Sequence, residues 1–343
     1  MNFWYMFNNK TILVTGGTGS FGKRFIKKVA SSYKVKKIIV YSRDEYKQFQ
    51  MQKEFPASKF PFMRFFLGDV RDLDRLKMAM RGTDYVVHAA ALKHVPGAEY
   101  NPMEFVKTNI NGAENVIQAA ISQKVNKVVA LSTDKAANPI NLYGATKLAS
   151  DKIFVAANNI VGAQKTYFSV VRYGNVVGSR GSVVQVFNEM IKGGSNFLPI
   201  TDKRMTRFWI TLDEGVNFVI KTFSRMTGGE IYVPKIPSIK IIDLAKAMAP
   251  NLKVKLVGIR AGEKIHEMMC PNESHYLTLE FKDHFVIFPS PEYFEKKISF
   301  IKNLKGEKGK KVDSNFEYSS STNKKFLSVK EIAALNKNLN DTI

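Results

Sequence analysis

A glycine-rich turn near the start of the chain lies between two segments with different apolar patterns. The apolar run 11–14 precedes the turn at 15–22, TGGTGSFG, and the amphipathic stretch 25–29 follows it. This order predicts a strand, a tight turn and a helix. Spaced glycines allow a sharp turn, close backbone approach to a pyrophosphate and tight helix packing, and the first helical amides face the phosphates. We therefore expect a dinucleotide to contact Gly16, Thr18, Gly19, Ser20, Phe21 and Gly22.

Five further apolar runs alternate with helical patterns along the first half of the chain. These runs are 37–41, 65–70, 85–88, 127–131 and 169–173. The alternation predicts an α/β protein with a Rossmann-type, doubly wound parallel sheet, whose ligands collect at the carboxyl ends of the strands. We expect the cofactor domain to cover 8–178, with a returning segment at about 208–235. A smaller C-terminal α/β substrate lobe would then take 179–207 and 236–343.

The carboxyl end of the second predicted strand indicates which dinucleotide binds. Ser42 and Arg43 follow this strand, where such a fold meets the adenosine ribose. An arginine there favours a 2′-phosphate, whereas the carboxylates of Asp44 and Glu45 would favour an unphosphorylated ribose. We predict NADP as the cofactor.

Other predicted strand ends carry residues suited to the rest of the dinucleotide. Asp69 could accept a hydrogen bond from the adenine amino group, with helix capping as a competitive alternative, and Val70 follows it. Ala89 and Ala90 follow the fourth strand, and their small side chains would let a flat cofactor lie against the backbone. Lys93 comes soon after, near the cofactor rim.

A group of acid and base side chains follows the fifth predicted strand. The segment 132–135, STDK, ends that strand, and Tyr143 and Lys147 follow on a predicted helix. Residues four apart share one helix face, so the Lys147 ammonium would lower the pKa of the Tyr143 phenol. An isolated Tyr-x-x-x-Lys match is weak evidence for function in a lysine-rich chain. The glycine turn, which precedes the motif at the right distance, strengthens that evidence. The pair indicates chemistry on a carbinol.

Together these motifs resemble the extended short-chain dehydrogenase/reductase family of nucleotide-sugar enzymes. The resemblance rests on the glycine turn, on Tyr143-x-x-x-Lys147 and on 172–175, RYGN, and it covers nearly the whole chain. Within the family, the segments 91–96, 132–139 and 202–208 are similar to those of inverting UDP-N-acetylglucosamine 4,6-dehydratases.

One pair of residues separates this chain from other branches of the family. Epimerases have a Ser or Thr group where Asp134-Lys135 stands here, and ordinary hexose 4,6-dehydratases have Asp followed by Glu. Membrane-attached retaining relatives share Asp-Lys but have Met at the position of Tyr143. The resemblance therefore points to the inverting group.

The resemblance implies four catalytic residues. Tyr143 would remove the sugar O4 proton while C4 gives a hydride to NADP⁺, and Lys147 would support the phenolate and anchor the cofactor ribose. Lys135, held neutral by its surroundings, would take the C5 proton while Asp134 protonates the departing C6 hydroxyl. The hydride then returns to C6, so the cofactor recycles. The donor that reprotonates C5 is left open between Lys135 and Tyr143.

The resemblance also implies contacts to UDP-N-acetylglucosamine. In the family, segments like 180–184, RGSVV, and 260–264, RAGEK, hold the UDP group, and an arginine suits a diphosphate. Arg204 and Arg207 could contact the substrate or form surface ion pairs, and the sequence favours neither role. The implied substrate residues are Lys93, Asn175, Arg180, Gly181, Ser182, Val183, Val184, Thr206, Arg260 and Glu263. The implied cofactor residues also include Tyr143, Lys147 and Val176.

Composition limits the possible partners. The net charge is +22, but the lysines are scattered and no nucleic-acid-binding signature appears, so we expect no nucleic acid partner. No stretch approaches transmembrane length, the N-terminus lacks a secretion signal, and the single Cys270 excludes an intrachain disulfide, which together favour the cytoplasm. The histidines lack metal-ligand spacing, so we expect no metal.

The resemblance implies a homo-oligomer such as a hexamer, acting in pseudaminic acid biosynthesis and flagellin glycosylation.

The C-terminal tail and two rival functions remain to be considered. Segment 302–325 has the composition of a linker but resembles the family's tail, so we expect it to wrap the smaller lobe. A rival 4-epimerase or reductase would have no need of Asp134 and Lys135. A rival of another class, a non-catalytic NADP-sensing regulator, would be expected to lack a complete Tyr-Lys pair.

Overall fold

A parallel sheet forms the centre of the computed structural model, which describes residues 5–178, 181–295 and 298–340, the last three without their side chains. The strands are β1 (Thr11–Thr15), β2 (Lys37–Ser42), β3 (Met63–Leu67), β4 (Tyr85–His88), β5 (Lys127–Thr133), β6 (Tyr167–Tyr173), β7 (Asn175–Val176), β8 (Phe197–Ile200), β9 (Thr206–Ile210), β10 (Ile231–Pro234), β11 (Ser238–Lys240), β12 (Lys253–Leu256), β13 (Met268–Cys270), β14 (Thr278–Glu280), β15 (His284–Ile287), β16 (Lys310–Lys311) and β17 (Tyr318–Ser319).

Helices connect these strands. They are α1 (Ser20–Ser32), α2 (Glu45–Glu54), α3 (Leu73–Ala79), α4 (Val95–Tyr100), α5 (Pro102–Phe105), α6 (Gly112–Ser122), α7 (Leu142–Ala156), α8 (Val183–Lys192), α9 (Leu212–Arg225), α10 (Ile241–Met248) and α11 (Val329–Asn340). A π-helical segment, Val106–Asn111, lies between α5 and α6, and a 3₁₀ turn, Asp134–Ala136, follows β5.

The main sheet has ten strands, in the order β16-β14-β15-β10-β6-β5-β4-β1-β2-β3. Neighbours from β10 to β3 are all parallel, and β15, β14 and β16 add an antiparallel edge. Every residue of β1 and β4 is buried, because helices cover both faces of a doubly wound sheet. The predicted α/β fold class is confirmed. The third strand ends at Leu67 rather than residue 70, so Asp69 and Val70 lie in the loop after it.

A second, smaller core lies beside the sheet. Phe187, Leu198, Trp209, Leu244 and Ile332 are buried together there, on elements that include α8, α10 and α11. Small sheets, β7-β9-β11 and β8-β12, support this core. The division into a cofactor domain and a lobe stays a prediction, and β14, β15 and β16 lie in the main sheet although the predicted lobe contains their residues.

The tail holds the two cores together. β16 pairs with β14 at the edge of the main sheet, and β17 pairs with β13. The Asn323 side chain donates to the Ile236 carbonyl and to Ser238, and α11 packs on α10. The tail is thus a structural segment that contacts both the sheet and the lobe, not a linker.

Within the described ranges, no helix is both long and apolar enough to cross a membrane.

Candidate active site

The glycine turn forms a cradle that side chains would fill. Gly16 has φ +64°, and a Cβ there would lie 2.9 Å from the Ala90 nitrogen. Gly19 caps α1 without a side-chain hydrogen bond, so the first amides of the helix, at Ser20, Phe21 and Gly22, are available to an anion. This geometry fits a dinucleotide pyrophosphate.

A cleft of about 270 Å³ continues from the turn along the carboxyl ends of β1, β2 and β4. The Thr18 and Ser42 hydroxyls are 2.8 Å apart at its edge. The predicted cofactor residues that line it are Gly16, Thr18, Gly19, Ser42, Arg43, Val70, Ala89 and Ala90. The structure therefore brings together most of the adenosine-side residues that the sequence predicts.

The carboxylates near this cleft are engaged by the protein. Asp44 caps α2, where its carboxylate accepts from the Lys47 amide and contacts the Lys47 ammonium. Asp69 accepts from the Arg71 amide at 3.0 Å and lies 3.5 Å from Arg43. The alternative of Asp69 as a helix cap is wrong, because Asp72 caps α3.

A tight contact brings the 3₁₀ turn after β5 against the start of α7. Asn141 caps α7 by accepting from the Gly144 amide at 2.8 Å. A Cβ on Gly144 would overlap the Lys135 carbonyl oxygen, so only glycine permits this contact. Asp134, Lys135, Tyr143 and Lys147 therefore lie in one buried region, as the sequence predicts.

Lys135 lies between two buried carboxylates. Its ammonium is 3.1 Å from Asp134 and 2.8 Å from Glu267, whose side chains are 1% and 2% exposed. Burial alone would lower the pKa of Lys135, but the Asp134 and Glu267 charges raise it above its usual value. The expectation that the surroundings hold Lys135 neutral is thus wrong, because the charges of Asp134 and Glu267 together outweigh the effect of burial.

The lysine whose positive charge acts on the Tyr143 phenol is also not the predicted one. Burial raises the pKa of Tyr143 to about 12, and the positive charge of Lys135 and a hydrogen bond with the Thr133 side chain oppose this effect. The Lys147 ammonium donates to the Leu131 carbonyl at 2.8 Å, and burial lowers its pKa. The expected lowering of the phenol pKa by Lys147 is therefore wrong in this state.

Burial also changes Asp134. Its pKa is raised, chiefly because burial disfavours the carboxylate. Its Oδ1 accepts from Thr133 and Lys135, whereas Oδ2 is buried without a partner in the described residues. A carboxyl group of raised pKa with one oxygen unengaged suits a proton donor.

The predicted substrate residues occupy different environments. Asn175 Oδ1 and Glu263 Oε2 are buried and have no partner in the described parts of the chain. Thr206 is engaged, since its hydroxyl lies 2.8 Å from His266 and 2.7 Å from Ser320. Arg180 falls outside the described residues. The remaining predicted positions are exposed or partly exposed, except buried Val184: Lys93, Val176, Gly181, Ser182, Val183, Val184 and Arg260.

Arg204 and Arg207, whose roles the sequence leaves open, lie in different environments. Arg204 is exposed and pairs with Asp202. Arg207 is buried and lies 3.8 Å from Glu267 and 3.7 Å from Glu263. Arg207 and Glu267 reach the site on β9 and just before β13, so no local motif connects them with residues 132–147.

The comparisons with known proteins agree with this geometry. The profile of the family described as "Polysaccharide biosynthesis protein" matches residues 12–289. A Campylobacter jejuni protein named UDP-N-acetylglucosamine 4,6-dehydratase (inverting) is 60% identical over 95% of this chain and 97% of its own. A Rickettsia canadensis protein named UDP-glucose 4-epimerase is 42% identical over 82% of this chain and 84% of its own.

A solved structure matches the fold over nearly the whole chain. The X-ray structure of Pen from Bacillus thuringiensis has a TM-score of 0.87 and 38% identity, and the match covers 98% of this chain and 99% of that one. The sequence match, the fold and the Tyr143-Lys147 site lead to the same assignment. The chain belongs to the polysaccharide biosynthesis protein family, within the extended short-chain dehydrogenases/reductases.

Proposed function

We propose that this chain is an inverting UDP-N-acetylglucosamine 4,6-dehydratase that uses bound NADP. Its product would be UDP-2-acetamido-2,6-dideoxy-β-L-arabino-hex-4-ulose, the first intermediate of pseudaminic acid biosynthesis. The observation that carries the proposal is the contact between Lys135 and buried Asp134, at 3.1 Å, in the same region as buried Tyr143. The relative of the same name, 60% identical along nearly the whole chain, supports it.

The cleft supports NADP over NAD. Arg43 lines the cleft and can pair with a 2′-phosphate. Asp44, the carboxylate that would oppose this phosphate, is engaged as a helix cap and paired with Lys47. Loss of a hydrogen bond to a charged group costs about 1.5–3 kcal/mol, so Arg43→Ala should weaken NADP binding roughly 10–100-fold. NAD binding, measured by the same titration, should change little, and an equal loss for both would contradict this assignment.

Tyr143 and Lys147 would act on the C4 carbinol. When bound, NADP⁺ supplies the hydride acceptor at C4 and the donor that later returns the hydride to C6. Tyr143 takes the O4 proton, and the charge of Lys135 and the Thr133 hydrogen bond stabilise its phenolate. Lys147 on α7 would hold the cofactor ribose, and its ammonium donates to the Leu131 carbonyl of β5.

The Asp134-Lys135 pair would carry out the dehydration without an outside proton. The Lys135 ammonium first passes a proton to Asp134 across the 3.1 Å hydrogen bond, which leaves an amine and a carboxylic acid. The amine takes the C5 proton, made acidic by the C4 ketone, while Asp134 protonates the departing C6 hydroxyl. Both groups then have their original charges. Tyr143 holds the O4 proton and is our candidate to return it to C5 from the opposite face.

Two unengaged oxygens support a sugar-nucleotide site. Asn175 Oδ1 and Glu263 Oε2 are buried acceptors without described partners, and sugar hydroxyls could donate to both. We assign Glu263 to the uridine ribose and Asn175 to the sugar. Arg260 and the start of α8 at Ser182, Val183 and Val184 would hold the diphosphate. We further propose a cytoplasmic homo-oligomer.

A 4-epimerase is the second candidate, because a 42% identical relative bears that name. An epimerase returns the hydride to C4 and has no use for an acid-base pair at C5 and C6. Asp134-Lys135 therefore argues against it. The intact Tyr143-Lys147 pair argues likewise against a non-catalytic NADP-sensing regulator.

Proton NMR distinguishes these functions directly. Purified protein is incubated with UDP-N-acetylglucosamine in deuterated water, and the C6 methyl signal, C5 deuteration and ring couplings are followed. A methyl signal with inverted C5 is the expected result. A change confined to C4 would identify an epimerase, and an unchanged sugar would overturn the dehydratase proposal.

A further inference from the structure

Glu267 is a buried charged residue of the site that lies outside the segments described above from the sequence. It immediately precedes β13, and the tail fixes its backbone: its amide donates to the Ser320 hydroxyl at 2.9 Å, and its carbonyl accepts from the Ser320 amide at 2.8 Å. Ser320 also contacts the Thr206 hydroxyl at 2.7 Å. The position of the Glu267 side chain is therefore determined by β9, β13 and the tail together.

The Glu267 carboxylate is directed at Lys135. One oxygen lies 2.8 Å from the Lys135 ammonium and 3.8 Å from Arg207. The other oxygen is buried without a partner among the described residues. A carboxylate that is 2% exposed costs free energy to desolvate, so its retention here points to a use for its charge.

Several charged or titratable groups act on this pair from the surrounding elements. Asp134 lies on the 3₁₀ turn beside Lys135, Tyr143 on α7 and Arg207 on β9, while Glu263 and Lys264 lie in the loop before β13. The Lys264 ammonium donates to the Ala137 carbonyl at 2.7 Å. Among these groups, Asp134 and Glu267 are the two that contact the Lys135 ammonium directly.

We propose that Glu267 is a positioning residue for dehydration, which holds Lys135 beside Asp134 and sets the pH range over which that pair keeps the proton it shares. This inference rests on the proposed function. Glu267 stays ionised throughout and exchanges no proton with the sugar. Its charge favours the ammonium form of Lys135, and its contact at 2.8 Å keeps that ammonium within 3.1 Å of Asp134.

The substitution Glu267→Gln keeps the shape of the side chain and removes its charge. Loss of an opposite charge at this distance lowers the pKa of a lysine by about 1–3 units. The pair should then lose its shared proton at lower pH, so the alkaline limb of the rate of methyl formation should move by about one pH unit or more toward neutrality.

Glu307→Gln is the matched control. Glu307 also pairs with a buried arginine, Arg225, at 2.9 Å, but it lies outside the site. The inference predicts that this variant keeps the wild-type alkaline limb, whatever its effect on thermal stability. A shift of equal size in both variants would overturn the inference, because it would reflect a general effect of losing a carboxylate next to a buried arginine.

The remaining outcomes separate the two proposals. If wild-type protein forms no methyl product, the proposed function fails and this inference fails with it. If the wild type forms the product and folded Glu267→Gln is slower with an unmoved alkaline limb, Glu267 is merely structural and only this inference fails. If Glu267→Gln does not fold, Glu267→Asp, which withdraws the carboxylate, should show a smaller shift in the same direction, and an unmoved limb there would overturn the inference.

Discussion

At the scale of single residues, Lys135 separates dehydration from simple oxidation at C4. Lys135→Ala removes the amine that takes the C5 proton, while Tyr143 and Lys147 remain. Because general base catalysis contributes roughly 10²–10⁴-fold, methyl formation should fall by about that factor. Oxidation at C4 should continue more slowly, because the Tyr143 phenolate loses the stabilising charge of Lys135, and the near-ultraviolet absorbance of reduced nicotinamide should persist after substrate is added.

Lys152→Ala is a suitable control for this experiment, since Lys152 lies exposed on α7, the helix that carries Tyr143. It should retain methyl formation. If Lys135→Ala also retains dehydration, Lys135 is not the essential base.

His88 should make the fold sensitive to acid. Its ring is buried, with Nδ1 2.9 Å from the Thr15 hydroxyl, and burial lowers its pKa to about 3. The unfolded imidazole takes up a proton below about pH 6.5, whereas the folded one does not until about pH 3, so the unfolded state binds more protons in this window. The free energy of unfolding should therefore fall as pH falls from 6.5 to 3, by up to about 1.4 kcal/mol per pH unit from this group.

Denaturant unfolding at several pH values tests this prediction. His88→Gln should flatten the pH dependence between about pH 6.5 and 3, because glutamine does not titrate. Identical slopes in wild type and His88→Gln would contradict the prediction.

At the scale of secondary-structure elements, the contact between α7 and the 3₁₀ turn positions the catalytic groups. Gly144→Ala would place a methyl group against the Lys135 carbonyl and 3.0 Å from Pro139. Overpacking of this kind costs about 1–3 kcal/mol, and the displacement should separate Tyr143 from Lys135. We expect a drop of roughly 100-fold in kcat, measured by methyl formation, because small misplacements of reacting groups have effects of that size.

Gly215→Ala provides the opposite case in another helix. A Cβ on Gly215 of α9 would lie 4.0 Å from its nearest neighbour outside the helix backbone, the Ile210 side chain, which is ordinary van der Waals contact. Alanine is favoured over glycine within a helix by about 1 kcal/mol, so this variant should be at least as stable as wild type and fully active. If Gly144→Ala and Gly215→Ala have the same stability and kcat, the close contact at Gly144 is not needed to position Tyr143 and Lys135.

The elements also show why some site residues could be predicted and others could not. Asp134-Lys135 and Tyr143-x-x-x-Lys147 lie at one strand end and on the helix that follows, so local patterns place them together. Glu267 and Arg207 arrive on other elements, and only the three-dimensional packing of β9, β13 and the tail brings them to Lys135. The expectation of a neutral Lys135 is wrong because the adjacent Asp134 charge favours the ammonium, and Glu267, which no local pattern places there, adds to that effect.

At the scale of the whole molecule, the parallel sheet was predictable because the apolar runs and the glycine turn are local features. The antiparallel edge of β15, β14 and β16 was not, because these strands are short and their pairing connects segments with no distinctive pattern. The tail's composition suggests a linker, yet its backbone pairs with β13 and β14. Strand pairing with the rest of the protein, rather than composition, decides its structure.

A destabilising substitution in the smaller core should weaken UDP binding without weakening NADP binding. Ile332 on α11 is fully buried in the smaller core, which includes residues of α8 but none of the glycine turn. Ile332→Asp buries an unpaired carboxylate and leaves a cavity, so the smaller core should lose about 2–5 kcal/mol. UDP affinity, measured by calorimetry, should fall at least tenfold, while NADP affinity should stay within about twofold of wild type.

Ala334→Asp makes the same charge change at an exposed position of the same helix, and it should leave both affinities unchanged. The comparison decides whether the smaller core serves the nucleotide sugar alone. Since the tail joins that core to the main sheet through β16, loss of the smaller core can also affect the cofactor cleft. Parallel losses of UDP and NADP affinity in Ile332→Asp would show that the two cores unfold as one cooperative unit, whereas a selective loss of UDP affinity would show that the glycine turn and its cleft fold independently of α11.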